Sequence, residues 1–167
     1  MNELIASNEE YEEEKMGSWN HSITQSRVAS QLSNDERFVV PIELSLDISQ
    51  IDLSQFGLKA SGELKPDVCL YPSSKSGIKS RDILKMSEMP LLAIEIISPK
   101  QGIDDILAKF EGYFALGIKS CWLITPNYRS IAVHSRIDEF KLFDTKHDIE
   151  VSDEVLDIRL PLKKIFE

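Results

Sequence analysis

The sequence predicts a mixed α/β (α+β) domain, a β-sheet flanked by helices. Three observations carry that expectation. Short apolar runs with strand character recur along the chain, two amphipathic stretches at helical spacing interrupt them, and one of those stretches joins two apolar strands in a β-α-β order. At 167 residues the chain is long enough for one domain with its own core. Its hydrophobic fraction of 42% and charged fraction of 28% are ordinary for a globular protein. The expected division is an acidic N-terminal arm over 1–18, a core over 19–145 and a C-terminal tail over 146–167.

The elements follow in chain order. Glu9 to Lys15 reads as a solvated, charged turn or a frayed arm. From Asn20 to Leu32, the residues Ile23, Val28, Ala29 and Leu32 form a stripe near helical spacing, with Asn20 or Ser22 as the cap and Ser33-Asn34-Asp35 as the stop. Phe38 to Val40 and Leu44 to Ile48 read as strands. Asp52 to Gly62 is a loop or short irregular strand. Asp67 to Tyr71 and Leu91 to Ile97 are strands, separated by an exposed excursion over Pro72 to Glu88 that is rich in Ser, Lys and Gly.

After Pro99 a second helix carries Ile103, Ile106, Leu107, Phe110, Phe114 and Leu116 on its apolar face. Asp104 and Asp105 favour its N-terminal dipole, and Gly117 stops it. Ser120 to Thr125 is a buried strand, and the helix before it makes a parallel pairing with Leu91–Ile97 expected. Pro126-Asn127 turns the chain. Ser130 to His134 and Glu139 to Phe143 form a hairpin, and Leu160 to Ile165 a short closing element.

Charge narrows the function. The formal net charge is -9, and residues 1–15, with six Glu and one Lys, account for -5 of it. The remaining -4 is spread over a body that is not basic, against strong nonspecific duplex binding by a lone monomer. No apolar stretch approaches the roughly 20 residues of a membrane span, and the acidic N-terminus is not a secretory signal. Cys69 and Cys121 sit in apolar runs and read as buried thiols, consistent with a reducing cytoplasm. No pair of His residues has ligand spacing for zinc.

The chemistry is concentrated in Asp67 and Glu95. Each lies at the edge of an apolar strand, where a carboxylate must be paired, neutralised or metal-bound. Two of them on neighbouring strands repel each other, and a hard cation relieves that repulsion. His21 and Gln25, one turn apart at the start of the first helix, are candidate site-lining residues, as is Ser98 after the second strand. Trp122 reads as core, and Tyr113 as a packed tyrosine with one satisfied hydroxyl.

The segments Trp19-Asn20-His21-Ser22, Lys65-Pro66-Asp67-Val68, Leu92 to Pro99, Lys109 to Tyr113 and Gly117 to Ile124, in that order, resemble the Uma-type family of restriction endonucleases within the PD-(D/E)XK nuclease superfamily. The resemblance implies a restriction-endonuclease-like core, a Mg²⁺- or Mn²⁺-dependent endonuclease site and DNA as substrate. Asp67 matches the pattern's Asp and Glu95 its second acidic member. The usual lysine two residues later is Ile97 here. Lys109 from the next helix, in step with Asp105 and Tyr113, is the preferred replacement, and Lys100 the other. Asp67, Glu95 and the carbonyl of Ile96 form the expected metal set. An inactive nucleic-acid- or protein-binding module on the same fold is the alternative, and an interaction protein with no nucleic acid a third. A homodimer suits cleavage of two strands.

Overall fold

The structure is a computed structural model that describes residues 17–58 and 63–167. The acidic run from Glu9 to Lys15 and the end of the Asp52–Gly62 segment lie outside the described residues.

The first helix, α1 (Trp19–Ser33), buries Thr24, Val28 and Leu32. Its cap is Ser18 rather than Asn20 or Ser22: the Ser18 hydroxyl accepts the His21 N–H at 3.3 Å. Two short strands follow, β1 (Phe38–Val39) and β2 (Leu46–Asp47). The run expected over Leu44 to Ile48 shrinks to two residues because the Asp47 carboxylate accepts the Ser49 N–H at 3.0 Å and turns the chain. β3 (Glu63–Leu64) pairs antiparallel with β2. β4 (Val68–Pro72) and β5 (Leu92–Ile96) come next, then α2 (Ile103–Ala115), β6 (Ser120–Thr125), β7 (Ser130–Arg136) and β8 (Glu139–Asp144). Gly117, at φ 95°, supplies the left-handed turn that ends α2.

Six strands form one sheet in the order β1-β4-β5-β6-β7-β8. β5 and β6 are parallel, as the intervening helix requires, and every other pair is antiparallel. Alternation sorts the strands' side chains onto two faces. Leu92, Ile94 and Ile96 meet α1 residues Val28 and Leu32 in one cluster, while Ala93 packs with Ile106, Phe110 and Tyr113 of α2 in the other. Glu95 shares parity with Ala93, so it faces α2. Ile103, expected on the apolar face of α2, is instead exposed, while Ile106 and Phe110 are buried.

The segment from residue 146, expected as a tail, is built into the first cluster. It forms a hairpin of β9 (Glu150–Asp153) and β10 (Ile158–Pro161), followed by α3 (Leu162–Phe166). Val151, Ile158, Leu160, Leu162 and Ile165 are all buried there. Polar residues surround Val151 in the sequence, so the strand has no alternation legible over its four residues. No helix among the described residues is long and apolar enough to cross a membrane.

Candidate active site

The register of the β4–β5 pair sets the site. Val68 lies opposite Ile94 and Cys69 opposite Ala93. One further step along that antiparallel register sets Asp67 opposite Glu95. The two acidic residues thus meet at one end of the sheet, with Glu95 the last residue but one of β5. The Ile96 N–H donates to Asp67 Oδ2 at 2.7 Å, tying the carboxylate to the main chain of β5.

Each flanking helix contributes at this end. From α1, His21 Nε2 lies 3.2 Å from Asp67 Oδ2, and the Gln25 side-chain amide donates to the Asp67 carbonyl at 2.9 Å. The Ser18 cap sets the first turn of α1, and with it the position of His21. From α2, the Tyr113 hydroxyl donates to Glu95 Oε1 at 2.6 Å. Lys109 lies one turn before Tyr113 and is half-buried. Its ammonium is near enough to act on the Glu95 carboxyl electrostatically. Ile97, where the resemblance leads one to expect a lysine, is half-buried and packs against the α2-side cluster. Ser98 is engaged through its main chain, its N–H donating to Gln101 Oε1 at 3.1 Å.

The electrostatics follow from burial. Glu95 is 3% exposed, and desolvation pushes its carboxyl up from 4.5 to about 7. The Lys109 ammonium and the Tyr113 hydroxyl oppose the rise, and Asp67 adds to it. The His21 imidazole is raised above 6.5, first by its bond to Asp67 and against the pull of burial, with Glu95 and Glu43 adding negative charge. Glu43 stands at φ 50° and donates its N–H to the Asp67 carbonyl at 3.2 Å. Sequence reasoning missed it: an acidic residue after Pro41-Ile42 has no local mark of a site. It also assigned Tyr113 to packing without its partner, which lies across the helix–sheet interface.

The donor chemistry suits a hard cation. Among the described residues, no three His, Cys, Asp or Glu side chains are grouped to hold a metal ion. The available set is two carboxylates, and Mg²⁺ typically uses one or two carboxylates and keeps several waters. Burial raises Glu95 first and the Asp67 carboxylate adds to the rise, and a divalent ion would offset both the desolvation and the like charge. Asp67 and His21 retain 17% and 14% side-chain exposure, so the pair is reachable from solvent. A separate cavity, lined by Ser135, Lys141 and Glu154, has no part of this cluster in its wall. Cys69 and Cys121 are free, buried thiols, with Cys69 raised to about 12 by burial, and neither is poised as a nucleophile.

The family model Uma2, described as "Putative restriction endonuclease", matches residues 2–163. Among solved structures, the chain is similar to one described as "a putative nuclease belonging to DUF820", from Anabaena variabilis ATCC 29413. The TM-score is 0.69 at 19% identity, over 90% of this chain and 82% of that one. At this identity the likeness bears on fold, and the fold is restriction-endonuclease-like. No curated protein matches the chain significantly.

Proposed function

The chain belongs to the Uma2 family, and from that premise we propose that it is a Mg²⁺- or Mn²⁺-dependent endonuclease that hydrolyses phosphodiester bonds in DNA. The single observation that carries this reading is the convergence of Asp67 and Glu95 at one end of the β4–β5 pair, with residues from both flanking helices touching them. Family membership supports nuclease chemistry at the coarse level, and the geometry supplies candidates for each role.

Asp67 and Glu95 would hold the ion, with the Ile96 carbonyl as a third oxygen. In an extended strand the N–H and C=O of one residue face the same edge, and the Ile96 N–H faces Asp67. When bound, such an ion polarises a phosphate oxygen and lowers the pKa of a bound water. The chain does the rest. His21 and the Ile96 N–H both lie on Asp67 Oδ2 and orient it. Tyr113 holds Glu95 Oε1. Lys109 brings a positive charge to the phosphate that water attacks and helps orient that water. A water oxygen bonds to phosphorus and gives up a proton to solvent, the phosphorus–oxygen bond to one sugar breaks, and the departing oxygen takes up a proton from solvent.

Ile97 favours a second reading, a binding module on the same fold without turnover. Its apolar packing leaves the strand without the usual lysine, so catalysis depends on Lys109.

Plasmid cleavage tests the first reading. Wild-type protein with Mg²⁺ or Mn²⁺ nicks or linearises plasmid, and metal raises its thermal stability. Asp67→Ala is expected to do neither. Cleavage by an Asp67→Ala, Glu95→Ala double variant at the wild-type rate would rule out these ligands.

A further inference from the structure

We propose that Trp19, Tyr128 and Arg129 form a rim beside the carboxylate site that stacks unpaired bases of single-stranded nucleic acid. The inference rests on the nuclease reading and deepens it by naming the form of substrate that is gripped.

Trp19 is 79% exposed and Tyr128 80%, the two most exposed aromatic side chains among the described residues. Both lie at the end of the sheet that carries the acidic pair. Trp19 opens α1, two residues before the His21 that contacts Asp67. Tyr128 lies in the 3-10 turn Pro126–Tyr128 that leaves the C-terminal end of β6. That end is bonded to the end of β5, where the Ile97 N–H donates to the Ile124 carbonyl at 3.0 Å. A long hydrogen bond of 3.5 Å from Asn20 to Asn127 closes the gap between helix and turn. Each aromatic residue is thus the immediate neighbour of one half of this bridge.

Arg129 follows with φ 48°, a left-handed conformation that non-glycine residues seldom adopt and that is often found at functional sites. It is exposed and in no ion pair among the described residues. Two open ring faces with an adjacent cation are what a single strand uses: bases stack on the rings and a phosphate meets the guanidinium.

Charge gives the rim its reason. A chain of formal charge -9 gains little from nonspecific attraction to a polyanion. Stacking does not depend on net charge, and every base has a face to offer. A duplex hides those faces, so the rim selects a frayed end, a loop or a single strand.

The chain has two tryptophans, and Trp122 is fully buried, so quenching of solvent-exposed emission reports on Trp19. The probes are a short labelled oligodeoxythymidylate, an abasic strand of equal length and a blunt duplex, each bound in EDTA so that no cleavage occurs. Wild-type protein is expected to bind oligodeoxythymidylate at least tenfold tighter than the abasic strand, with quenched emission, at roughly the strength that base stacking supplies. Trp19→Ala and Tyr128→Ala each weaken oligodeoxythymidylate about tenfold and leave the abasic strand unchanged. Trp19→Phe keeps a ring and stays within about twofold of wild type. Equal affinity for the oligodeoxythymidylate and abasic strands, preference for the duplex, or alanine variants that bind like wild type overturns the proposal. If plasmid cleavage with Mg²⁺ persists alongside such a result, this inference falls alone. If no strand binds and no plasmid is cut, the nuclease reading falls with it.

Discussion

Glu95 and Asp153 are both buried acids, 3% and 1% exposed, yet they live in opposite environments. Asp153 is met by donors from every side. Ser120 and Trp122 donate to Oδ2 at 2.5 and 2.9 Å, and the N–H groups of Val155 and Leu156 donate to Oδ1 at 3.0 and 3.1 Å. Its charge is dispersed over four hydrogen bonds, and it pins the β9–β10 hairpin to β6. Glu95 has the Tyr113 hydroxyl on one oxygen and a second carboxylate beside it. Burial is common to both, so burial does not mark a reactive acid. The difference lies in the neighbours: burial pushes Glu95 up to about 7, the Lys109 ammonium opposes that rise, and the Asp67 carboxylate beside it adds to it, with the Tyr113 hydroxyl as a donor on one of its oxygens.

That contrast can be broken by substitution. The largest effect is expected for Glu95→Gln, which should lower metal-dependent cleavage about 10³-fold, on the scale of losing one charge-stabilising group. Its stability without metal should equal or exceed wild type, because a repulsion is removed. A melt in EDTA and a plasmid assay read the two quantities, and a large loss of stability would put Glu95 in the same class as Asp153.

Asp153→Ala should reverse the pattern. It strips partners from Trp122, Ser120 and two main-chain N–H groups, and we expect a loss of about 3 kcal/mol in a denaturant titration. A loss under about 1 kcal/mol would mean the hairpin is held by its apolar side chains alone.

His21→Ala is expected to reduce cleavage by about tenfold while leaving the melt nearly unchanged, since in the proposed mechanism His21 orients Asp67 and is not itself a ligand. An effect as large as that of Asp67→Ala would promote His21 into the ligand set.

The smallest effect concerns pH and the Asp153 side of the molecule. Ser120 Oγ also reaches the His134 carbonyl at 3.4 Å, and the His134 ring lies between Phe110 and Phe140, with centroids at 5.3 and 4.8 Å. Burial lowers the His134 pKa below 6.5. The unfolded chain therefore takes up the proton first, so this contribution to stability is complete above 6.5 and is lost as pH falls towards the folded value. The difference in stability between wild type and His134→Phe, followed from pH 7.5 to 5, should narrow or reverse in that direction. A flat difference would show that His134 carries no linked proton.

Much of this was legible along the chain. Helical spacing from Ile23 to Leu32 and from Ile103 to Leu116 corresponds to α1 and α2 within a few residues, Ile103 itself being exposed. The apolar runs at 67–71, 91–97 and 120–125 correspond to β4, β5 and β6, with the parallel pair where the helix required it. These elements depend on neighbours one to four positions away, and the order of residues records them directly. Asp67 and Glu95 stood out for a related reason, as charges at the edge of apolar runs.

What the tertiary structure alone decided is who meets whom. Tyr113 reaches Glu95 across 18 positions, and Trp122 reaches Asp153 across 31. Asp153 lies in a run of polar residues that looks like surface until β9 folds onto β6 and β7. Two carboxyl groups of the same kind become an anchor in one place and a strained pair in the other. Protonation and hydrogen bonding are set by atoms within a few ångströms in space, and the linear order of a chain does not specify which atoms those will be.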